Sequence, residues 1–261
     1  MASGAVLWAT ALWVGGAMLS LWALSLARRD ASIVDVFWGP GFVGVAWIAR
    51  LVAGTTTPRS GLVALLATLW GLRLAAHLAW RSRGRGEDFR YRRMRERHGA
   101  GFAAWSLVAI FGLQGVLMWI VSLPLQLATS SPTPPGVGWA DLPGLGVFTL
   151  GLAFETLGDW QLARFRSDPA NRGRVLDRGL WAWTRHPNYF GDCCVWWGFG
   201  LLALRAPGGV ATLLAPALMT FLLLRVSGVP LLERSLLRSR PGYADYLRRT
   251  SAFFPRPPRR R

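Results

Sequence analysis

A chain of 261 residues suffices for one or two domains, but 52% hydrophobic residues and fifteen tryptophans exceed the usage of a soluble domain. A formal charge of +17 would point to nucleic acid in a soluble protein; here every basic residue is arginine and no basic-aromatic module interrupts the apolar pattern, which excludes that class. His77, His98 and His186 are too far apart for metal-ligand spacing, so no metal site is expected.

The apolar residues come in blocks of about 20, the length that crosses a bilayer. Seven such blocks run roughly over 4–27, 33–53, 61–80, 102–125, 143–163, 189–206 and 208–232. The sequence therefore predicts an all-α polytopic membrane protein of about seven transmembrane helices. It is read as a single transmembrane domain over 1–261, with a C-terminal core at about 140–255 and a flexible basic tail at 255–261. Arginines cluster at 28–29, 81–97, 164–185 and 225–261, while the intervening turns hold almost none. The positive-inside rule then places the N-terminus outside and the C-terminus in the cytoplasm.

The first segment, with no ionisable residue from Met1 to Ala27, reads as a plain lipid-facing helix. Asp35 lies inside the start of the second run. A carboxylate there is a functional candidate, or else a first-turn residue paired with Arg28 or Arg29. In the third segment Trp70, Arg73, His77 and Trp80 share one helix face. Arg73 lies deep enough to bind a ligand, and His77 is either an acid–base group or a satisfied interfacial histidine.

The loop that follows, Arg81 to Ala100, is a solvated basic surface in which Glu87, Asp88 and Tyr91 could fold over a cytoplasmic pocket as a lid. Gln114 is the main polar residue of the fourth segment, and the Pro/Gly-rich stretch 130–138 is an external connector. The fifth segment carries Glu155 and Asp159 one turn apart, with Arg166 two turns beyond Asp159. Two acids followed by arginines point to a polar ligand, or to pairing between the acids and the arginine cluster.

Arg174 then leads to the densest polar stretch, Arg185-His186-Pro187-Asn188-Tyr189-Phe190-Gly191-Asp192. Pro187 suits a helix's first turn, so a helix is predicted to start there, its free N–H groups facing what Arg185 and His186 face. Asn188 and Asp192 share one face, able to hydrogen-bond an amide or a ribose; the alternative is that Arg185 anchors the segment and Asn188 and Asp192 cap it. Cys193 and Cys194 are core fillers.

Arg73, Arg166, Arg174 and Arg185 favour a phosphate-bearing cofactor, NADPH, over S-adenosylmethionine, which carries no phosphate and a positive sulfonium. No GxGxxG follows a strand, so a Rossmann domain is not the means of binding.

Five stretches carry a family resemblance: Ser32 to Gly39, Arg85 to Tyr91, Gly179-Leu180-Trp181 running on to Asp192, Pro230-Leu231-Leu232-Glu233, and Thr250 to Pro255. On these the chain resembles the membrane steroid 5-alpha-reductase superfamily. Within it the chain is similar to bacterial proteins of unknown function with the 3-oxo-5-alpha-steroid 4-dehydrogenase C-terminal domain. Its His-Pro-Asn-Tyr-x-Gly-Asp core is also similar to that of sterol C14- and C7-reductases. The resemblance implies a seven-helix reductase of lipid metabolism that passes hydride from NADPH to the beta carbon of an enone. It implies cofactor contacts from Arg73, Asp159, Arg166, Arg174, Asn188 and Asp192, to which the residue reading adds Glu155, Arg185, His186 and Tyr189.

Trp70 stands at the family's tyrosine position and Asp35-Val36 at its Gln-Glu pair, leaving Asp35, His77 and Tyr91 as candidate proton donors. The expected setting is a monomer in the bacterial inner membrane, with the cofactor site on the cytoplasmic side. Its substrate would be an apolar enone or isoprenoid drawn from the bilayer, its other partners membrane lipids, and nucleic acid none. The C-terminal half is also similar to isoprenylcysteine carboxyl methyltransferases through Arg-His-Pro-x-Tyr-x-Gly, Glu233, Tyr243 and Tyr246. That alternative implies methyl transfer from S-adenosylmethionine.

Overall fold

The computed structural model describes residues 3–226, 233 and 236–258, and among these the secondary structure is helical throughout, with no strand. Five helices are long and apolar enough to cross a membrane: Gly4–Arg28, Ile33–Val52, Pro58–Ser82, Phe89–Val121 and Gly209–Val226. The protein is therefore an integral membrane protein of the helical class. The chain divides into two compact units, the first Met1–Trp139 with Leu202–Thr212, the second Ala140–Leu201 with Leu213–Arg261.

The first unit is built on α1 (Gly4–Arg28), α2 (Ile33–Val52) and α3 (Pro58–Ser82). Their ends follow from local chemistry. The Ser3 hydroxyl accepts from the Val6 N–H at 3.4 Å, Pro58 opens α3 behind the Thr57 cap, and Arg29 stops α1 in a left-handed conformation at φ 53°. α2 and α3 meet without side chains between them: a Cβ on Gly39 would overlap the Gly71 carbonyl oxygen.

α4 (Phe89–His98) is amphiphilic and charged; α5 (Phe102–Ser106) runs through a π-helical turn, Leu107–Gly112, into α6 (Leu113–Val121). α7 (Leu123–Ser130) restarts at Pro124, which breaks the predicted fourth run near its end. α1 is exposed over most of its surface, with Trp8 and Leu12 each 73% exposed, and packs through one stripe. It buries Val6, Thr10, Val14 and Met18 at four-residue spacing, and Thr10 donates to the Gln126 side-chain oxygen at 2.9 Å. α3 starts earlier than read and takes in Arg59, which is buried and donates to the Leu202 carbonyl.

In the second unit α8 (Leu142–Ser167) and α10 (Pro187–Ala203) cover the fifth and sixth apolar runs, and neither is among the five helices above. α8 carries Glu155 and Asp159, and the 17 residues of α10 rise only about 25 Å, short of a hydrocarbon core of about 30 Å. α10 begins at Pro187, as its sequence predicts.

The two helices pack through glycine. A Cβ on Gly151 would meet the Gly191 carbonyl oxygen at 2.6 Å, and one on Gly198 would meet the Phe148 backbone nitrogen at 2.7 Å. Gly144, Gly151 and Gly158 recur every seven residues on the buried face of α8, the spacing that keeps one stripe against a neighbour. α11 (Leu214–Phe221) runs into a second π-helical turn, Leu222–Val226. Cys193 is buried and donates its thiol to the Thr220 hydroxyl oxygen at 3.2 Å. The end of the seventh run and Pro230-Leu231-Leu232, like the last residues of the basic tail, lie outside the described residues.

Candidate functional site

The second unit holds a cavity of about 360 Å³ whose wall includes Arg166, Arg172, Arg174, Arg185 and Arg240, with Trp181, Tyr243 and Tyr246. Each reaches it for a local reason. The last turn of α8 supplies Arg166. Beyond it, Asp168 caps a short 3₁₀ turn by accepting from the Ala170 N–H at 2.9 Å, so this acid of the wall is already engaged while Arg172 and Arg174 follow on the loop. Gly179, at φ 62°, then turns the chain into α9 (Leu180–Trp183).

Trp181 is pinned by its indole N–H to the Gly158 carbonyl at 3.0 Å, and its own carbonyl accepts from the Tyr246 hydroxyl at 2.5 Å. Both tyrosines sit on the helix Tyr243–Arg249. Burial, then the nearby Glu233 carboxylate, pushes the Tyr243 phenol up to about 12, and burial drives Tyr246 in the same direction. Both remain protonated at neutral pH.

Arg185 is the joint of this unit. Its Nε donates to Glu233 Oε1 at 2.7 Å, and its Nη1 donates to the carbonyls of Leu247 at 3.1 Å and Thr250 at 2.6 Å. His186 is fully buried, with Nε2 3.0 Å from the same Glu233 oxygen and its ring stacked on Tyr189 at 5.5 Å. Burial raises the Glu233 carboxyl, but hydrogen bonds from His186 and Arg185 outweigh it and hold the group below the ordinary glutamate value.

The remaining candidates of this unit lie where α8 meets α10. Asp159 is buried, and the Asn188 amide donates to its carboxylate at 3.2 Å; Glu155 is buried one turn earlier, beside the Gly191 backbone. Asp192 follows Asn188 by one turn of α10. Thus Arg166, Arg174 and Arg185 share the cavity wall, whereas Glu155, Asp159, Asn188, Tyr189 and Asp192 are not part of it.

The first unit contains Arg73 and the three proton-donor candidates. Tyr91 and Asp35 belong to one hydrogen-bonded chain. The Trp38 indole donates to Gln114 at 2.7 Å, the Gln114 amide to the Tyr91 oxygen at 3.4 Å, and the Tyr91 hydroxyl to Asp35 at 2.6 Å. Arg90 donates to the second Asp35 oxygen at 2.9 Å. The partner of Asp35 is therefore Arg90, not Arg28 or Arg29: α4 brings its basic first turn onto the start of α2. His77 is outside this chain, its ring 6.1 Å from that of Trp80, and Arg73 is half-buried on α3. Trp70 is buried with its ring 5.8 Å from that of Phe42.

Glu87 and Asp88 reach the same end of α2: Glu87 accepts from the Ala31 N–H at 2.9 Å, and the Asp88 N–H donates to the Ser32 hydroxyl oxygen at 3.4 Å. Burial raises both carboxyls, but hydrogen bonds from Arg95 and the Ala31 N–H to Glu87, and from Arg90 to Asp88, outweigh it and leave both below their ordinary values.

Sequence reasoning missed Arg172, Arg240 and Trp181 as cavity residues, and it missed Glu233 as the shared acceptor for Arg185 and His186. Glu233 followed by Tyr243 and Tyr246 was the available signal, but a contact across 48 residues leaves no periodic trace.

These features define a helical integral membrane protein whose second unit carries an arginine-walled, aromatic-lined cavity. The chain belongs to the family described as protein of unknown function (DUF1295), whose model matches residues 21–250. It is similar to an uncharacterized protein of Schizosaccharomyces pombe, with 24% identity over 90% of this chain and 76% of that protein. No solved structure matches.

Proposed function

We propose that the protein is a membrane-embedded, NADPH-dependent reductase of the steroid 5-alpha-reductase type, acting on a C=C bond conjugated to a carbonyl in an apolar sterol-like or isoprenoid substrate. The observation that carries this reading is the donor set of the second-unit cavity. The arginines that the described residues bring to the wall, Arg166, Arg172, Arg174 and Arg240 beside the Arg185 held by Glu233, with Asp168 engaged by a backbone N–H, suit a ligand bearing several phosphates. Trp181, Tyr243 and Tyr246 offer aromatic faces to its rings, and Tyr243 a hydroxyl to a ribose, the Tyr246 hydroxyl being engaged by the Trp181 carbonyl.

When bound, NADPH supplies hydride to the beta carbon of the enone. The chain's own part is to hold the phosphates through Arg166, Arg172 and Arg174, to fix the cavity wall through Arg185, and to provide a proton for the alpha carbon. Of the three candidates, Tyr91 is the one whose hydroxyl is held on both sides, accepting from the Gln114 amide and donating to Asp35, which also accepts from Arg90. On this reading α8 and α10 complete seven spans. The C-terminus and the cavity face the cytoplasm of a bacterial cell, the protein is a monomer, and its apolar substrate enters from the bilayer.

Methyl transfer from S-adenosylmethionine is less compatible with the cavity, because a sulfonium cation gains nothing from an arginine wall. Titration of detergent-purified protein with NADPH, NADH and S-adenosylmethionine tests the choice. NADPH binding that weakens about tenfold or more in Arg166→Ala and in Arg174→Ala, one lost charge-assisted contact each, supports the reductase. Binding of S-adenosylmethionine alone would replace it with the methyltransferase.

A further inference from the structure

A second cavity, of about 340 Å³, is built entirely within the first unit where α2 begins and α3 ends. Its wall contains Asp35, Glu87 and Asp88 together with Arg81, Arg85 and Arg92, which reads at first as a neutral mixture. The hydrogen bonds say otherwise. Asp35 is held by Arg90 and Tyr91, Glu87 by Arg95 at 2.8 Å and the Ala31 N–H, and Asp88 by Arg90 at 2.9 Å. Neither Arg90 nor Arg95 lines the cavity, so the carboxylates are neutralised from outside it.

Arg81 and Arg85 in the wall make no ion pair and no side-chain hydrogen bond among the described residues, and Arg92 makes only one, to the Glu87 carbonyl at 3.1 Å. Arg81 acts on Asp35 and Asp88 only through space. The cavity is thus cationic in effect, with the Ser32 and Ser82 hydroxyls beside the arginines.

Its position names the ligand's setting. α2 and α3 are both of membrane-spanning character, and the cavity lies at their shared end. Trp80 and Phe89 flank it, 56% and 58% exposed, as aromatic side chains do at the level of lipid headgroups. We propose that this cavity binds a phosphate group presented at the membrane surface, the headgroup phosphate of an anionic lipid, through Arg81, Arg85 and Arg92. The proposal does not depend on what the second-unit cavity binds.

The test is native mass spectrometry of the full chain in detergent, with phosphatidylglycerol, phosphatidylcholine or pyrophosphate added. It compares the wild type with two doubly substituted forms of equal charge change, Arg81→Gln/Arg85→Gln in the cavity wall and Arg83→Gln/Arg97→Gln outside it. Phosphatidylglycerol retained over phosphatidylcholine, reduced about fivefold or more by the first pair and unchanged by the second, establishes the site. Pyrophosphate that binds with the same arginine dependence and displaces the lipid would keep the phosphate site and assign it a soluble ligand. Equal losses in both pairs, or none in either, would overturn the proposal in favour of a diffuse basic surface. All four arginines are exposed, so unchanged unfolding temperatures are expected and separate loss of binding from loss of fold.

Discussion

The Arg185 guanidinium Nε and the Glu233 carboxylate Oε1 meet at 2.7 Å, and through this contact the start of α10 holds the C-terminal segment. The same arginine grips the Leu247 and Thr250 carbonyls, and the same glutamate faces buried His186. Glu233→Ala removes the acceptor of a guanidinium only 11% exposed and of a fully buried imidazole. Hydrogen bonds to charged groups contribute about 1.5–3 kcal/mol, so the unfolding temperature in detergent should fall by several degrees. Ligand affinity at the adjoining cavity should fall with it. Glu233→Gln, which keeps an acceptor oxygen but no charge, should sit between wild type and alanine.

The acid limb of the stability profile should report the same contact. The folded-state value of Glu233 is depressed, so its contribution is complete above the ordinary glutamate value of about 4.3 and is lost as pH falls through the lower, folded value. Glu87, held by Arg95 and the Ala31 N–H, acts in the same direction. Unfolding temperature should therefore be flat from about pH 7 to 5 and drop below about 4. Glu233→Gln should make that drop shallower. An unchanged acid limb in this variant would mean that the contact with Arg185 contributes little.

The membrane class was legible because apolar blocks and buried helices are one physical fact seen twice, and α2, with Ile33–Val52 against a reading of 33–53, shows how closely. The start of α10 was legible for a local reason, the missing N–H of Pro187. Pairings across long stretches were not. Asp35 was read against its neighbours Arg28 and Arg29, yet its partner Arg90 lies 55 residues on, and nothing in a helical period signals which arginine a loop will deliver. Glycine was under-read in the same way. Gly151 and Gly158 interrupt an apolar run without changing its hydrophobicity, so a search for apolar blocks passes over the residues that set how closely α8 and α10 approach.

Tyr91→Phe separates chemistry from cofactor binding. The substitution deletes only the hydroxyl that Gln114 and Asp35 fix, and Tyr91 is not among the residues of the arginine-walled cavity. Under the reductase reading, NADPH affinity should be unchanged while single-turnover reduction of an accepted enone slows about 10²–10⁴-fold, the usual contribution of a positioned acid. His77→Ala should slow it far less, since His77 lies outside the hydrogen-bonded chain. The reverse ranking would transfer the donor role to His77.

The glycine contact between α8 and α10 predicts a sharp contrast between two alanine substitutions on one helix. At Gly151 the new methyl group would sit 2.6 Å from both the Gly191 carbonyl oxygen and the Val195 nitrogen, which are backbone atoms and cannot rotate away. The helices must separate, carrying Asp159 from Asn188, and overpacking of this kind costs about 1–3 kcal/mol. At Gly146 a methyl group meets nothing within 4 Å, so alanine should raise helix stability by about 0.5–1 kcal/mol. Thermal unfolding of the two variants in the same detergent measures both effects. Gly151→Ala should lose several degrees and Gly146→Ala should hold or gain; equal behaviour would mean that α8 and α10 do not depend on this close approach. A loss confined to Gly151→Ala would identify backbone proximity, rather than helix propensity, as what the glycines supply.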